Sequence, residues 1–350
     1  SKKILNDVLD LAAVGTVGDI VSLRDENRTI VKYGLKRINE GRRQAMKKLV
    51  SAISLKNVSS ENIAFGIAPH INAAGRMAHA YEAVSLFLTD DEHIMDQQVE
   101  KLVTYNSRRK SEQDSAYKRC VQMISGKEDF IVLKMEDIHE GIGGIAAGKV
   151  KEEFYRPVVI VTPSGEGFLK GTGRSIPGID IYQVLKKHSC LFERFGGHKS
   201  ACGFLMKSDN LEAFKKRING EISVIKSQNP NIFCRGAYWD MELSPAEITV
   251  ELAAKLDKLE PFGEGNPRPL FMIKDVILKN LRFMGAEGAH AGFSAVSGDG
   301  KRADCVLFRK ALELKDILTS ANRVSLVGTV ERQTWRGRER VQFIVEEIIA

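Results

Sequence analysis

The chain carries the sequence GTGRSIPG at residues 171–178 and the sequence FGGH at residues 195–198. Glycines in both blocks let backbone amides approach a ligand closely, and each block adds a cationic or potentially cationic side chain, Arg174 or His198. A planar guanidinium can bind two oxygens of one phosphate. The blocks therefore predict a phosphate-binding pocket, although an ordinary surface arginine and a turn histidine satisfied by backbone groups would look the same.

The glycine blocks belong to a segment in which short apolar runs alternate with helical patterns. Apolar runs at residues 130–133 and 158–161 flank a helix-like stretch at residues 142–154, an order typical of a parallel βαβ unit. A further strand is predicted to lead into the first glycine block, and an amphipathic helix at residues 211–225 closes the segment. We therefore expect a mixed α/β domain over residues 125–228.

A third glycine-rich segment, HEGIGGIAAG at residues 139–148, opens the helix-like stretch. Gly143 and Gly144 stand where a strand should turn into a helix, so that amides at the positive end of the helix dipole would face a ligand. His139, at the head of this segment, joins the candidate binding residues. Tight packing of the helix on the sheet, which also needs small residues, is the alternative and stays open.

The sequence on either side predicts three further parts. Residues 1–90 show helical spacing without the strand-rich start of an independent α/β domain. An acidic, capped start predicts a long connecting helix at residues 91–124. In residues 229–350, five short apolar runs with glycine-rich turns predict a small closed barrel of the OB type. The expected fold class is α/β plus β, with a C-terminal OB-type β-barrel.

The composition describes a globular protein with a basic balance. The 350 residues carry a formal net charge of +7, which favours a polyanionic partner, although a general effect on solubility fits nearly as well. No apolar run reaches the about 18 residues of a membrane helix, and no signal peptide is visible, so we expect a cytoplasmic protein. The five cysteines are scattered and predict reduced thiols.

Two more candidates lie in the first ninety residues. Arg76 ends the segment NAAGR at residues 72–76, which we interpret as a cationic loop. Asp19 stands at the end of a strand or helix, a position where metal ligands and helix caps are equally common. Acidic residues 90–92 with His93 could suggest a metal site, but acidic residues are expected in the first turn of a helix.

A last candidate is the sequence RQTWRGRER at residues 332–340. It places Trp335 beside Arg336 and Arg338 at a predicted hairpin tip. An aromatic ring among cations is typical of surfaces on which bases of single-stranded nucleic acid stack. A hairpin that only increases solubility is the alternative.

The order of these motifs resembles that of the RecJ family in the DHH phosphodiesterase superfamily, whose members are single-strand-specific 5′ to 3′ exonucleases. AVGTVGD at residues 13–19 resembles the family's fourth motif, and INAAGR at residues 71–76 resembles the next. The two glycine blocks resemble those of the DHH-associated domain. EPFGEGNP at residues 260–267 resembles the signature that leads into the family's OB barrel.

The resemblance implies an assignment for each part of the chain. Residues 1–90 would be the C-terminal part of a DHH catalytic domain, 91–124 the connecting helix, 125–228 the substrate-binding DHH-associated domain, and 229–350 the OB-type nucleic-acid-binding domain. The aspartates and the D-H-H triplet that hold the family's metal ions occur nowhere in this sequence. We therefore expect the C-terminal portion of a RecJ-like nuclease.

The resemblance also implies a mechanism for the complete nuclease. Two Mn²⁺ or Mg²⁺ ions would activate a water, with Asp19 as one metal ligand and Arg76 neutralising developing charge; these two are the candidate catalytic residues. The implied substrate-binding residues are His139, Gly143, Gly144, Arg174, Ser175, Gly196, Gly197, His198, Trp335, Arg336 and Arg338. The barrel would guide incoming single-stranded DNA.

For the chain by itself, the expectation is narrower. It should bind single-stranded DNA, hold no metal ion stably and be inactive alone, because Asp19 cannot build a two-metal site unaided. One alternative is a non-catalytic subunit that binds single-stranded nucleic acid. The other is an oligonucleotide or cyclic-dinucleotide phosphodiesterase of the same superfamily, which the predicted barrel argues against.

Overall fold

The computed structural model describes residues 2–335 and 338–349, with side chains except at positions 2–5, 140, 334, 335 and 338. The chain forms two compact units. Unit 1 comprises Ser1–Glu40, Asn57–Ala64 and Gly236–Ala350, and unit 2 comprises Gly41–Lys56 and Phe65–Arg235. The division into four functional parts expected from the sequence stays a prediction.

The helices of the described residues cover both units. In chain order the α-helices are α1 (Lys2–Gly18), α2 (Asp25–Asn39), α3 (Gln44–Ala52), α4 (Ser60–Asn62), α5 (Ala68–Met77), α6 (Tyr81–Leu88), α7 (Glu92–Met123), α8 (Glu140–Phe154), α9 (Ile181–Lys186), α10 (Leu211–Gln228), α11 (Val250–Leu256) and α12 (Lys315–Ser320). The shorter helical turns are Ile63–Ile67, which is π-helical, and the 3₁₀ turns Ser189–Leu191, Ser208–Asn210, Pro245–Glu247, Asp257–Leu259 and Ala286–Gly288.

The strands fall into two sheets, one in each unit. Unit 2 contains β1 (Ile131–Lys134), β2 (Val158–Pro163), β3 (Phe168–Arg174), β4 (Phe192–His198) and β5 (Ala201–Lys207). Unit 1 contains β6 (Met241–Glu242), β7 (Phe271–Met284), β8 (His290–Val296), β9 (Arg302–Leu307), β10 (Val324–Trp335) and β11 (Arg338–Ile349).

The sheet of unit 2 has the strand order β1-β2-β3-β5-β4. β1 and β2 are parallel, with α8 as their crossover, so the predicted βαβ unit is confirmed. The remaining strands are antiparallel. One face packs on α8, through residues such as Ile142 and Ala146 against Ile131 and Ile160. The other face packs on α9 and α10.

Residues of β3 alternate between these two faces. Leu169 belongs to the core beneath α9 and α10, together with its cross-strand partner Met206 and with Phe204, which pairs with Gly171. Because side chains alternate along a strand, Lys170, Thr172 and Arg174 point to the face on which α8 lies. This alternation decides which cations of the sheet share a surface.

The barrel of unit 1 closes through five strands. The strand order is β10-β11-β9-β8-β7, and pairing of β10 with β7 closes the ring. Its core contains large side chains from several strands, among them Phe271, Phe293, Leu326 and Phe343. The OB-type barrel predicted from five apolar runs is therefore confirmed.

The first two helices of unit 1 are joined to the segment that precedes the barrel. The Leu23 amide donates to the Glu264 carbonyl at 2.6 Å, and Arg28 donates to the Leu259 carbonyl at 2.6 Å. A Cβ at Gly263 would lie 2.7 Å from Leu23 Cδ1, so only glycine allows this approach. The EPFGEGNP motif and the residue before it thus hold the connection between α1 and α2 and the start of α2.

One local prediction was wrong, and one alternative interpretation is excluded. Residues 72–76 lie inside α5 and not in a loop, because Ala73 and Ala74 are fully buried and helix packing outweighs the glycine. The FGGH block forms the end of β4 and not a turn. Its Gly197 has φ of +145°, and a Cβ there would overlap Cys202 on β5, so the glycine permits close strand pairing.

The long helix predicted at residues 91–124 is confirmed as α7. It spans 32 residues, and the Asp91 side chain caps it by accepting from the His93 amide at 2.8 Å. None of the helices within the described residues combines the length and apolar character that crossing a bilayer requires. All five cysteines lie within the described residues and are free thiols.

Candidate functional site

The first turn of α8 is the centre of the candidate site in unit 2. His139 caps this turn, because its Nδ1 accepts a hydrogen bond from the Gly141 amide at 3.1 Å. The Ile142 amide donates to the His139 carbonyl at 2.8 Å. The start of α8 carries the positive end of the helix dipole, which attracts anions. His139 thus lies at the start of α8, as the sequence predicted, and its ring is hydrogen-bonded in the helix cap.

Arg76 reaches this turn from the last turn of α5. Its Nη1 donates to the Gly141 carbonyl at 3.0 Å. A Cβ at Gly141 would lie 3.0 Å from the Arg76 carbonyl oxygen, so α5 and α8 meet closely here. The glycine allows this contact, and the contact brings the Arg76 guanidinium to the helix start.

Arg174 reaches the same turn from the end of β3. Its Nη1 donates to the Gly173 carbonyl at 2.9 Å. A Cβ at Gly144 would lie 3.1 Å from Arg174 Nη2, and one at Gly143 would lie 3.4 Å from Thr172. The structure thus shows the tight helix-on-sheet packing that was the alternative interpretation of these glycines, and this packing positions the arginine. Their role in ligand binding stays a prediction.

The guanidinium groups of Arg76 and Arg174 interact electrostatically. Burial lowers the pKa of Arg174, and the neighbouring Arg76 cation lowers it further. Among the ion pairs of the described residues, none joins Arg76 or Arg174 to a carboxylate. Half-buried like charges without a counterion, beside a helix start, form a site that an anion would stabilise.

Arg109 on α7 extends this cluster and was missed by the sequence analysis. Its Nε donates to Asn106 Oδ1 at 3.0 Å and its Nη1 donates to Gln113 Oε1 at 2.8 Å. Burial lowers the pKa of Arg109, and the Arg76 cation contributes in the same direction. Arg109 is therefore held by neutral oxygens within electrostatic range of Arg76.

A hydrogen-bond chain fixes Asn106 in turn. Asn106 Nδ2 donates to His70 Nε2 at 3.0 Å, so the His70 proton is on Nδ1, which donates to the Gly66 carbonyl at 2.7 Å. Burial lowers the pKa of His70 and favours this neutral form. The sequence contained a signal for this cluster. Asn106 and Gln113 interrupt the row of apolar residues on the buried face of α7, at positions where further apolar residues would be expected.

His198 lies across β5 from Arg174. Arg174 and His198 are both in register with Ala201, on the two neighbours of β5, so their Cα atoms are about 10 Å apart. Alternation along β4 puts His198 and Gly196 on the face opposite Phe195, which packs into the core. Arg174 and His198 therefore share one face of the sheet.

Other predicted residues lie elsewhere. Ser175 is buried, and its hydroxyl donates to the Ile179 carbonyl at 2.7 Å, so it stabilises the turn after β3. Asp19 is exposed just beyond the end of α1 in unit 1. Arg336 and the side chains of Trp335 and Arg338 lie outside the described residues; the backbone of residues 335 and 338 pairs at the end of the β10–β11 hairpin. Their predicted roles stay predictions.

The residues that the structure describes do not fit a two-metal centre. Within them, no group of three or more His, Cys, Asp or Glu side chains could hold a metal ion. A two-metal site needs several such ligands converging on ions about 4 Å apart. Asp19 by itself offers one carboxylate, and we derive no chemical step through a metal.

The barrel has a polar surface cavity that the sequence analysis also missed. Its volume is about 540 Å³, and it lies over β7, β8, β9 and β11. Three exposed arginines line it, together with polar residues: Arg282, Arg302 and Arg340, with Asn280, Ser294, Asp304 and Gln342. Nucleic acids bind on this side of many OB folds. The alternation of polar and apolar residues along β7 and β9 was the available signal.

Comparisons with known proteins agree with this architecture. Residues 127–224 match the family model described as the DHHA1 domain, and residues 239–347 match that described as the RecJ OB domain. The fold and these matches define a protein with a DHH-associated domain followed by an OB barrel.

Individual relatives show which proteins with these two domains the chain resembles. The single-stranded-DNA-specific exonuclease RecJ of Bacillus subtilis is 29% identical over 348 residues, which cover 98% of this chain and 44% of that protein. Crystal structures of Thermus thermophilus RecJ in complex with Mn²⁺ and with Mg²⁺ match with TM-scores of 0.86 and 0.85 at 30% identity, over 99% of this chain and 50% and 52% of theirs. The chain carries a DHHA1 domain and a RecJ OB domain, is similar to RecJ proteins over nearly its whole length, and spans about half the length of these relatives.

Proposed function

We propose that this chain is the substrate-holding part of a RecJ-like exonuclease that hydrolyses single-stranded DNA from its 5′ end. One observation carries the proposal: the guanidinium groups of Arg76 and Arg174 both lie at the first turn of α8, and none of the carboxylates that the structure describes forms an ion pair with either. The relatives' name, single-stranded-DNA-specific exonuclease, supports the choice of DNA as the anion.

Each group of the site has a task in this proposal. Arg174 and the start of α8 hold a backbone phosphate, and His198 contacts the strand from the neighbouring side of the sheet. Arg76, fixed by Gly141, stabilises negative charge that develops on the scissile phosphate. The Arg109 cation adds to the positive potential, and Asp19 is proposed as one metal ligand of the complete nuclease.

The barrel is proposed to hold the incoming strand. The β10–β11 hairpin carries Trp335, on which a base would stack, and the arginine-lined cavity neutralises the backbone. A surface of this kind accepts unpaired bases, which a duplex does not offer. Preference for single strands therefore comes from the barrel in this proposal.

Binding and hydrolysis can be tested separately. The chain as printed, mixed with Mn²⁺ and a 5′-phosphorylated single strand, is expected to bind the DNA without degrading it, because its described residues form no metal-ligand group. Fluorescence anisotropy measures binding, and a denaturing gel measures products. A duplex of the same sequence is the control for strand preference.

Two results would contradict parts of the proposal. Degradation that is lost in Asp19→Ala would show that the chain assembles a metal centre after all. Equal affinity for single-stranded and duplex DNA would argue against the tasks assigned to the barrel. Binding without degradation is also what a non-catalytic subunit would show, and degradation restored by adding a RecJ catalytic domain would separate the two.

A further inference from the structure

Half of the unit 2 sheet is uncovered on the side of α8. The helix packs over β1 and β2 and contacts β3 at Thr172 and Arg174, whereas the other face of the whole sheet is covered by α9 and α10. On the α8 side of β5 and β4, among the atoms that the structure describes, a Cβ at Gly196 would meet none within 4 Å, and one at Gly203 would meet only the Gly171 carbonyl oxygen, at 3.9 Å. β5, β4 and the exposed Lys170 end of β3 form an open floor, which we call the open half-sheet.

Two rows of residues cross the open half-sheet with the same arrangement. In the first row, Arg174 and His198 flank Ala201. In the second row, Lys170 and Arg194 flank Leu205, again one residue on β3 and one on β4. The rows are four residues apart along the strands, which corresponds to about 13 Å. A basic residue thus stands at both sides of each row.

A β-bulge puts Arg194 on this face. The register shifts between Phe192, which pairs with Met206, and Arg194, which pairs with Leu205. Phe192 packs into the core, with its ring 4.7 Å from that of Phe204. Without the extra residue, strand alternation would point Phe192 and Arg194 to the same side. The bulge therefore buries the phenylalanine and exposes the arginine on the open face.

The second row lines a cavity. Its volume is about 380 Å³, and its walls include Lys170 and Arg194 above a floor of Gly196, Gly203 and Leu205. Arg194 is exposed and forms no ion pair among those found in the described part of the chain. The floor offers glycine backbone and one leucine side chain, which can contact a sugar or base without competing for the phosphate.

We propose that Lys170 and Arg194 form a second phosphate subsite, which binds the backbone of an oligonucleotide whose other phosphate lies at Arg76 and Arg174. This inference rests on the proposed function of that first site. The two rows are about 13 Å apart at the backbone, and a mononucleotide, which has one phosphate, can occupy only one of the two subsites. The open half-sheet therefore selects oligonucleotides over mononucleotides.

The test compares two probes on three variants of the whole chain. The probes are a 3′-fluorescein-labelled, 5′-phosphorylated oligo-dT of about ten nucleotides and thymidine 5′-monophosphate as a competitor. The variants are Lys170→Ala/Arg194→Ala, Arg174→Ala, and the matched control Lys216→Ala/Arg217→Ala, whose residues are exposed on α10 behind the sheet. Each affinity is measured over a series of salt concentrations.

The expected result is a selective loss. The Lys170/Arg194 variant should bind the oligonucleotide about tenfold more weakly, with the slope of log Kd against log salt reduced by roughly one, while its affinity for the monophosphate is unchanged. Arg174→Ala should weaken both probes, and the α10 control neither. Arg194→Lys should retain most of the oligonucleotide affinity.

Three results would overturn the subsite. Unchanged oligonucleotide affinity in the Lys170/Arg194 variant, with a loss in Arg174→Ala, would overturn the second subsite and leave the proposed function in place. An equal loss in the α10 control would show a general charge effect. Unchanged binding in both Lys170/Arg194 and Arg174→Ala would remove the proposed function itself.

Discussion

The two units present their cations to a nucleic acid in different ways. In unit 2, Arg76, Arg109 and Arg174 are half-buried and held by neutral oxygens of the backbone or of side-chain amides. In unit 1, the arginines of the barrel cavity are exposed, and Arg332 of the hairpin pairs with Asp257 and Glu339 at 2.8 Å each.

The difference teaches where specificity and where general affinity should arise. Half-buried cations at fixed positions bind one phosphate with defined geometry, and their partial desolvation strengthens each charge-assisted hydrogen bond. Exposed arginines on a barrel neutralise a backbone without fixing its register. We expect unit 2 to select the phosphate and unit 1 to add affinity along the strand.

The largest expected effect lies in unit 2. Arg174→Ala should weaken binding of a 5′-phosphorylated single strand by about 3 kcal/mol, because a half-buried charged donor is lost. Titration by fluorescence anisotropy measures it, with Arg217→Ala on α10 as the matched control. An effect no larger than that of the control would remove the contrast between the units.

A smaller effect is expected in the barrel. Trp335→Ala should weaken binding by about 2 kcal/mol if a base stacks on the indole, and equally with or without a 5′ phosphate on the strand. The same titrations with both strands measure it. Unchanged affinity would return the hairpin to the interpretation that it only increases solubility.

The next effect tests the positioning of Arg109. Gln113→Leu removes the oxygen that accepts from Arg109 Nη1, so binding should weaken by about 1 kcal/mol. Gln97→Leu on the exposed side of α7 is the control. A loss of thermal stability without a change in affinity would show that Gln113 supports only the fold.

The smallest expected effects are those of pH on the stability of each unit, and they should have opposite signs in the two units. Burial raises the pKa of Glu331 in unit 1, so its stabilising contribution is complete below pH 4.5 and is lost as pH rises through the folded-state pKa. The pKa of His70 in unit 2 is lowered by burial, so its contribution is complete above pH 6.5 and is lost as pH falls.

Hydrogen exchange of the backbone amides, measured as a function of pH, reports the stability of each unit separately. Acidification should increase exchange around α5 and α7, and His70→Gln should reduce that pH dependence because glutamine does not titrate. In the barrel, hydrogen exchange should increase as pH rises, and Glu331→Gln should reduce this increase. Parallel behaviour of both units would contradict these assignments.

Local patterns predicted most elements because they depend on near neighbours in the chain. The cap at Asp91 and the apolar spacing predicted α7, and five apolar runs predicted the barrel strands. The prediction of a loop for the NAAGR segment was wrong because its glycine suggested a loop, whereas its buried alanines stabilise a helix. The FGGH block left a turn open as an alternative because glycines in a strand that pairs closely look like glycines in a turn.

By itself, the sequence determined the element types, the OB-type barrel and the chemistry of the glycine blocks, since each follows from residues within a few positions of one another. Only the tertiary structure decided which cations meet. Arg76, Arg109 and Arg174 come from α5, α7 and β3, and Arg194 reaches the open face through a bulge. Such meetings depend on register and helix packing, which are set by contacts between residues distant in the chain.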